Sequence, residues 1–62
     1  MIGALVRDRF FNRGIIIDML EGSDGETEYL ISLFRPIVWG PDEIYQTYWV
    51  PNKSAFEVLS EA

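Results

Sequence analysis

Short apolar runs separated by turn-forming residues dominate the hydrophobic pattern of this chain. The most regular run is 15–21, where three consecutive isoleucines favour an extended backbone because β-branched side chains are restricted at χ1. A glycine-rich segment at 22–25 predicts a tight hairpin turn, and the alternating segment 27–34 predicts the second arm of that hairpin. Alternation also defines one face of the first arm as the expected core face. That face carries Ile15, Ile17 and Met19.

Both sides of this hairpin contain further extended segments. A short apolar run at 3–6 predicts a first strand, and the aromatic and β-branched residues of 45–50 predict a fourth. A helical spacing of apolar residues begins at Ile44 and leaves room for one helical turn before the fourth strand. Residues 35–41 contain two prolines, which cannot donate ladder hydrogen bonds. We therefore expect a long loop there, with Trp39 exposed or half-buried.

The C-terminal segment is compatible with two structures. Ser54 and Glu57 have the spacing of a capping box and could start a short helix. The alternative is a 3₁₀ turn at 51–55 and a closing strand at 56–59, with Phe56 and Val58 facing inward. We favour the strand, because a helix of two turns is too short to be stable without docking. The sequence thus predicts an all-β fold, one five-stranded barrel domain over residues 1–62 with a 3₁₀ turn before the last strand.

Length and composition restrict the chemistry that such a barrel could perform. A chain of 62 residues has little interior to spare for a cleft, and this one has neither His nor Cys. General acid and base work would fall to carboxylates or Lys53. The paired carboxylates Asp42 with Glu43, and Asp24 with Glu26, lie in predicted loops, where solvation is expected. We therefore predict no enzyme activity, no catalytic residue, no metal, no cofactor and no small-molecule substrate.

The formal net charge of −5 argues against nucleic acid as a partner, because such binding needs cations that neutralise phosphates. No apolar stretch has the length of a membrane span, so a membrane partner is not expected. Charged residues soon follow the N-terminal methionine, unlike the apolar region of a signal peptide. We expect a cytoplasmic protein, with a place in a virion left open if the protein is viral.

Candidate binding residues concentrate near the N-terminus. Three arginines fall within seven residues there, and we expect them to be solvated and to pair with Asp8 and nearby acids, with an acidic partner as the alternative. Two adjacent phenylalanines share this segment. We expect them to fold back onto the barrel, whereas an exposed pair would indicate binding. The predicted partner-binding residues are Arg7, Arg9, Phe10, Phe11, Arg13 and Trp39.

The order of the predicted elements resembles that of the SH3-like barrel. Residues 3–6 look like its opening strand, and Trp49-Val50-Pro51-Asn52 looks like its fourth strand entering a 3₁₀ turn. The layout is also similar to that of uncharacterised SH3-like proteins of tailed phages, in which a Gly-Xaa-Leu-Val start, a Gly-Ile-Ile-Ile strand and a Trp-Val-Pro…Glu-Val-Leu ending recur. This resemblance implies a five-stranded SH3-like barrel and a viral accessory or virion-associated protein.

Departures from peptide-binding SH3 domains argue against the binding of a proline-rich peptide. Val6, Arg7 and Asp8 stand where those domains carry two tyrosines separated by an aspartate, so the rings that hold a polyproline II helix are missing. An aromatic cage for methylated cations, as in Tudor-like domains, is a further alternative, although barrel aromatics more often form core. The rings available for such a cage are Phe11, Trp39, Tyr45, Tyr48 and Trp49.

Two functions from different classes remain. The first is a non-enzymatic protein-interaction module that docks on a protein partner or on copies of itself as a homo-oligomer. The second is an acidic inhibitor that imitates a polyanion and blocks a nucleic-acid-binding protein of the host. The acidic residues available to the inhibitor are Glu21, Asp24, Glu26, Glu28, Asp42, Glu43, Glu57 and Glu61.

Overall fold

The computed structural model describes residues 1–38, 40–51 and 53–61. Its strands are β1 (Leu5–Asp8), β2 (Arg13–Glu21), β3 (Thr27–Val38), β4 (Ile44–Val50) and β5 (Phe56–Ser60), with a 3₁₀ helix at Lys53–Ala55. They form one antiparallel sheet in the order β4-β3-β2-β1-β5. The all-β prediction is therefore confirmed. Within the described ranges, no helix has the length and apolar character needed to cross a membrane.

The hairpin of β2 and β3 forms where the glycine-rich segment predicts it. The Gly25 N–H donates to the Gly22 carbonyl at 3.1 Å, and the Gly22 N–H donates to the Glu26 carbonyl at 2.7 Å. Gly25 has a φ of 83°, in the left-handed region that favours glycine. The Asp24 carboxylate accepts the Glu26 N–H at 3.0 Å, which is the local bond by which aspartate stabilises turns. Turn chemistry thus sets the register of this hairpin.

Strand β3 is longer than the sequence indicates. The predicted loop at 35–41 is wrong in its first half, because β3 continues through Pro36 to Val38. Pairing with β2 ends at Leu33, and the register with β4 is interrupted between Ser32 and Ile37. Pro36 lies in that interruption, so no neighbouring strand requires its missing N–H. The prediction for Trp39 falls outside the described residues.

The core lies on one face of the sheet. The predicted core face of β2 is wrong, since Ile17 is 46% exposed whereas Ile16 is fully buried. Ile16 lies opposite Ile31, and the register shifts between Ile16 and Asp18, so one extra residue interrupts the alternation. The buried apolar residues are Ala4, Val6, Ile16, Tyr29, Ile31, Leu33 and Val50.

Gly14 is required by close contact between β2 and β3. A Cβ atom at this position would lie 2.4 Å from the Ser32 carbonyl oxygen and 2.8 Å from a methyl group of Ile31. Neither a backbone oxygen nor a fully packed methyl can move away cheaply. Glycine here permits the approach of β3 that buries Ile31 and Leu33.

The C-terminal segment follows the favoured alternative, a 3₁₀ helix and then β5. Phe56 packs against the core, and its ring meets the Tyr29 ring edge-on with 5.3 Å between centroids. Val58 lies opposite Val6 but is 37% exposed, so its predicted burial is wrong. The reason is that β5 is an edge strand with β1 as its one hydrogen-bonded neighbour.

Two side-chain contacts show that the sheet is strongly curled. Tyr29 of β3 contacts Phe56 of β5, and Tyr48 of β4 donates a hydrogen bond to Asp8 of β1. Each pair of strands is three interstrand spacings apart in the sheet order, which would be about 14 Å in a flat sheet. Curling brings β4 and the end of β1 together and creates the site described next.

Candidate functional site

Asp8, the last residue of β1, organises the loop between β1 and β2. Its side chain is buried, with 7% of the residue exposed. One carboxylate oxygen, Oδ1, accepts the backbone N–H groups of Phe10 at 2.8 Å and Asn12 at 2.9 Å. The other, Oδ2, accepts the Asn12 side-chain amide at 3.2 Å and the Tyr48 hydroxyl at 2.5 Å. Four donors fill the acceptor capacity of one carboxylate.

The hydrogen bonds and burial act in opposite directions on the pKa of Asp8. Burial alone raises that pKa, but the bonds from Tyr48, Asn12 and Phe10 together lower it below its ordinary value. Asp8 is therefore ionised at neutral pH. Burial, the bond to Asp8 and the negative charge of Asp8 all raise the pKa of Tyr48, so its hydroxyl keeps its proton.

The loop is short and tightly bonded. The Asp8 N–H donates to the Asn12 carbonyl at 2.9 Å, and the Phe11 N–H donates to the Asp8 carbonyl at 3.1 Å. Phe11 has a φ of 65°, a left-handed conformation that is unfavourable for a bulky side chain. The surrounding bonds hold it there. The loop is thus fixed in shape.

Both phenylalanines of this loop point outward. Phe10 is 75% exposed and Phe11 is 77% exposed, so the prediction that they fold back onto the core is wrong. The physical reason is that the loop wraps its backbone around the Asp8 carboxylate, which turns the side chains away from the interior. An exposed pair of rings is the outcome that indicates binding.

The arginines do not pair with Asp8, contrary to expectation, because neutral donors fill its acceptor positions. Arg7 instead forms an ion pair with Glu57 of β5 at 2.6 Å. Its guanidinium also lies over the Phe11 ring, 5.7 Å from the centroid. Arg9 and Arg13 are exposed and form no ion pair with any residue that the structure describes.

One hollow lies on the β4 side of the loop, and we call it the tyrosine pocket. Its volume is about 440 Å³, and its lining is almost wholly apolar. The Tyr45 hydroxyl donates to Glu43 at 2.8 Å, and this bond raises the pKa of Tyr45. The aromatic rings of this pocket come from Phe10 of the loop and from Tyr45 and Tyr48 of β4. The lining residues are Asp8, Phe10, Asn12, Ile37, Tyr45 and Tyr48.

A second hollow of about 410 Å³ lies on the other side of the loop, and we call it the arginine groove. It is lined by Phe11, Asn12, Arg13, Phe34 and Arg35, with no carboxylate among them. Phe34 and Arg35 are not among the binding residues predicted from the sequence. The signal that could have found them is the hairpin register, which pairs Leu33 with Gly14 and so brings the next residues of β3 beside Arg13.

The structure therefore divides the predicted binding residues among three hollows. Phe10 lines the tyrosine pocket, and Phe11 with Arg13 lines the arginine groove. Arg7 and Arg9 line a third hollow that also contains Glu57. Trp39 lies outside the described residues. The loop is the ridge between the first two hollows.

A single cage of the five aromatic residues considered for methylated cations does not form. Tyr45 and Tyr48 line the tyrosine pocket, whereas Phe11 and Trp49 do not. Tyr48 lies opposite buried Ile31, and Trp49 is the next residue of β4, so it points to the other face of the sheet. Trp49 therefore cannot join Tyr48 in one cage.

Acidic residues elsewhere are solvated or paired. Asp24, Glu26, Asp42 and Glu43 are exposed. In residues 1–38, 40–51 and 53–61, no three acidic side chains are grouped so as to hold a metal ion. Comparison with protein-family models, curated proteins and solved structures finds no match to this chain.

Proposed function

We propose that this chain is a non-enzymatic protein-interaction module that binds a protein partner through the loop at 9–12 and the hollows beside it. The observation that carries the proposal is the exposure of Phe10 and Phe11 in a loop that three hydrogen bonds tie to the Asp8 carboxylate, which a fourth bond joins to Tyr48 of β4. Covering exposed aromatic surface is favourable by about 25 cal/mol per Å² of apolar area. A loop fixed before binding loses little conformational entropy on binding.

The composition of this surface is typical of binding hot spots. Aromatic residues and arginine are enriched at the energetic centres of protein interfaces. Here Phe10, Phe11 and Phe34 stand beside Arg9, Arg13 and Arg35. The apolar tyrosine pocket offers space for an uncharged side chain of the partner. These features together support the binding of a protein partner to this surface.

The proposal extends to the fold, an SH3-like barrel. Support comes from the order of the elements, the 3₁₀ helix before the last strand and the two contacts that cross the curled sheet. The resemblance to SH3-like proteins of tailed phages further suggests a viral accessory or virion-associated role. This part of the proposal rests on the sequence motifs and the element order.

The state of Asp8 supports a role without catalysis. Among the residues that the structure describes, it is the one carboxylate that lines the tyrosine pocket; its acceptor positions are filled, and its pKa is lowered. A general base near neutral pH needs a raised pKa and a free lone pair. Asp8 is suited instead to holding the loop in place.

Affinity capture tests the proposed function. Tagged wild-type chain and the variant Phe10→Ser/Phe11→Ser are immobilised and exposed to a lysate of the source cells, and retained proteins are quantified by mass spectrometry. Light scattering on each purified chain detects self-association. Ile2→Ser is a matched control, because Ile2 is an exposed apolar residue that precedes β1, whereas the loop follows the other end of that strand.

We expect the wild type and Ile2→Ser to show the same companion, either a retained protein or a second copy, and the phenylalanine variant to lose it. The proposal is contradicted if the three chains behave alike.

A second candidate, the acidic inhibitor, is favoured by one observation. Asp24, Glu26 and Glu28 border a hollow of about 510 Å³ at the hairpin turn, and no cation lines it. Binding to a basic nucleic-acid-binding protein would then weaken steeply with salt and would survive Phe10→Ser/Phe11→Ser. Loss of that binding in Glu26→Lys/Glu28→Lys would support the inhibitor over the first proposal.

A further inference from the structure

Opposite charges occupy the two ends of the β2–β3 hairpin. The arginine groove at one end contains Arg13 and Arg35. The other end, which we call the acidic tip, is the turn with Asp24, Glu26 and Glu28. None of these five side chains forms an ion pair with another residue in the described part of the chain. Each end is therefore available to a partner of opposite charge.

The two ends are too far apart to neutralise each other. Paired residues run from Gly14 with Leu33 to Glu21 with Thr27, and at about 3.3 Å per residue the strands between them span roughly 20 Å. Charges are screened over about 8 Å at physiological ionic strength. The carboxylates of the tip therefore do not neutralise the two arginines of the groove in the same copy.

The chemistry of the two ends is complementary. The acidic tip is a turn closed by the bond between Gly22 and Gly25, and Asp24 and Glu26 lie beyond the paired residues of the hairpin. The arginine groove combines two guanidinium groups with the rings of Phe11 and Phe34. Carboxylates form charge-assisted hydrogen bonds with guanidinium groups, which are stronger than bonds between neutral groups.

We propose that the arginine groove of one copy receives the acidic tip of a second copy. This contact makes a second copy of the chain the partner of the interaction surface proposed above, and it rests on that proposal. A contact made in one direction leaves one groove and one tip free, so association continues into longer species as concentration rises, whereas a reciprocal contact closes as a dimer. Because exposed ion pairs are weak, association also depends strongly on salt.

Charge reversal at each end tests the contact. The groove-reversed variant is Arg13→Glu/Arg35→Glu, and the tip-reversed variant is Glu26→Lys/Glu28→Lys. In either variant alone the groove and the tip carry the same sign. In an equimolar mixture every groove faces a tip of opposite sign. The measurement is the weight-average mass by sedimentation velocity at low and high salt, for each chain and for the mixture.

We expect the wild type to self-associate at low salt, both variants to be monomeric, and the mixture to regain the mass of the wild type. High salt should dissociate the wild type and the mixture alike. The tip-reversed variant also distinguishes the loss of this contact from a change in the overall charge repulsion between copies. Each Glu→Lys change adds two charges, so its net charge moves from −5 to −1, and reduced repulsion alone would increase its association.

A monomeric wild type at all concentrations, or a mixture that stays monomeric, would overturn the proposed contact. Three of the four substituted residues, Arg13, Glu26 and Arg35, are exposed, so the variants should keep the wild-type circular dichroism spectrum. If the wild type is monomeric yet retains a foreign protein that Phe10→Ser/Phe11→Ser loses, the proposed function stands and the second copy is the wrong partner.

Discussion

The hydroxyl of Tyr48 donates a 2.5 Å hydrogen bond to the carboxylate of Asp8, although β2 and β3 separate their strands in the sheet. The same carboxylate accepts two backbone N–H groups of the loop that presents the phenylalanine pair. One buried acid therefore joins the curl of the sheet to the shape of the candidate binding surface.

Removal of the Tyr48 hydroxyl should destabilise the fold. Tyr48→Phe leaves one lone pair of an ionised, buried Asp8 without a donor, and a hydrogen bond to a charged group contributes roughly 1.5–3 kcal/mol. Tyr45→Phe is the matched control, because the Tyr45 hydroxyl bonds to the exposed Glu43. Urea unfolding of the two variants should show a clear loss for Tyr48→Phe and little change for Tyr45→Phe. Equal losses would contradict this role of Asp8.

Acid should weaken the fold through Asp8. Its pKa is lower in the folded chain than its ordinary value of 3.8, so its contribution is present above that value and is lost as pH falls through the folded pKa. The free energy of unfolding, measured from neutral pH downward, should therefore decrease in this range. Asp8→Asn should be less stable at neutral pH and should show a smaller decrease. A parallel curve for the variant would contradict the assignment.

Alkali should act through Tyr48. Its pKa is raised in the folded chain above the ordinary value of 10.0, so the stabilisation is complete below that value and is lost as pH rises toward the folded pKa. Tyr48→Phe has no proton to lose and should show a flatter alkaline limb in a stability profile. Titration of the tyrosine absorbance should show that Tyr48→Phe lacks a hydroxyl that in the wild type ionises above the ordinary value.

Gly14 should not tolerate a side chain. Gly14→Ala places a methyl against the Ser32 carbonyl, and overpacking of this kind costs about 1–3 kcal/mol. Gly22→Ala is a milder comparison, since a Cβ atom there would lie 3.0 Å from the Asp24 carboxylate and 3.1 Å from the Glu26 carbonyl oxygen, instead of 2.4 Å from a carbonyl oxygen. In thermal unfolding, the midpoint temperature of Gly14→Ala should be lower than that of Gly22→Ala. The reverse order would indicate that β2 and β3 approach less closely than described.

Binding of a companion by the loop should require the hydrogen bonds from the loop to Asp8. Phe10→Ser and Phe11→Ser alter exposed side chains, so each should change the free energy of unfolding by no more than about 0.5 kcal/mol. Asp8→Asn keeps both rings but weakens the bonds that fix the loop, so companion binding should fall through the lost pre-organisation. Unchanged binding by Asp8→Asn would show that the fixed loop shape is not needed.

Local signals in the sequence predicted much of the fold. The isoleucine run, the Asp-Gly turn and Pro51 lead directly to β2, the hairpin and the end of β4. The extra residue at Ile17 has no such signal, because a bulge depends on the partner strand. Pro36 predicted a loop. β3 accommodates this proline because it lies where the pairing of β3 with β4 is interrupted, between Ser32 and Ile37.

The candidate site was only partly predictable. Arg7, Arg9, Phe10, Phe11 and Arg13 could be selected from composition, but the tyrosine pocket beside Phe10 also requires Tyr48, which bonds to Asp8 from 40 positions away. Local turn-forming residues at both ends of the loop indicated a structured segment without indicating which way its rings point. Long-range contacts of this kind are set by the curl of the sheet.

Mapping of the contact surface by NMR decides whether the loop binds the partner. Amide proton and nitrogen shifts of the labelled chain can be followed while its companion is added, either a captured protein or unlabelled chain. We expect shifts to change at 7–13 and at Phe34 and Arg35. Changes confined to the edge strands β4 and β5, with the loop unaffected, would contradict this expectation.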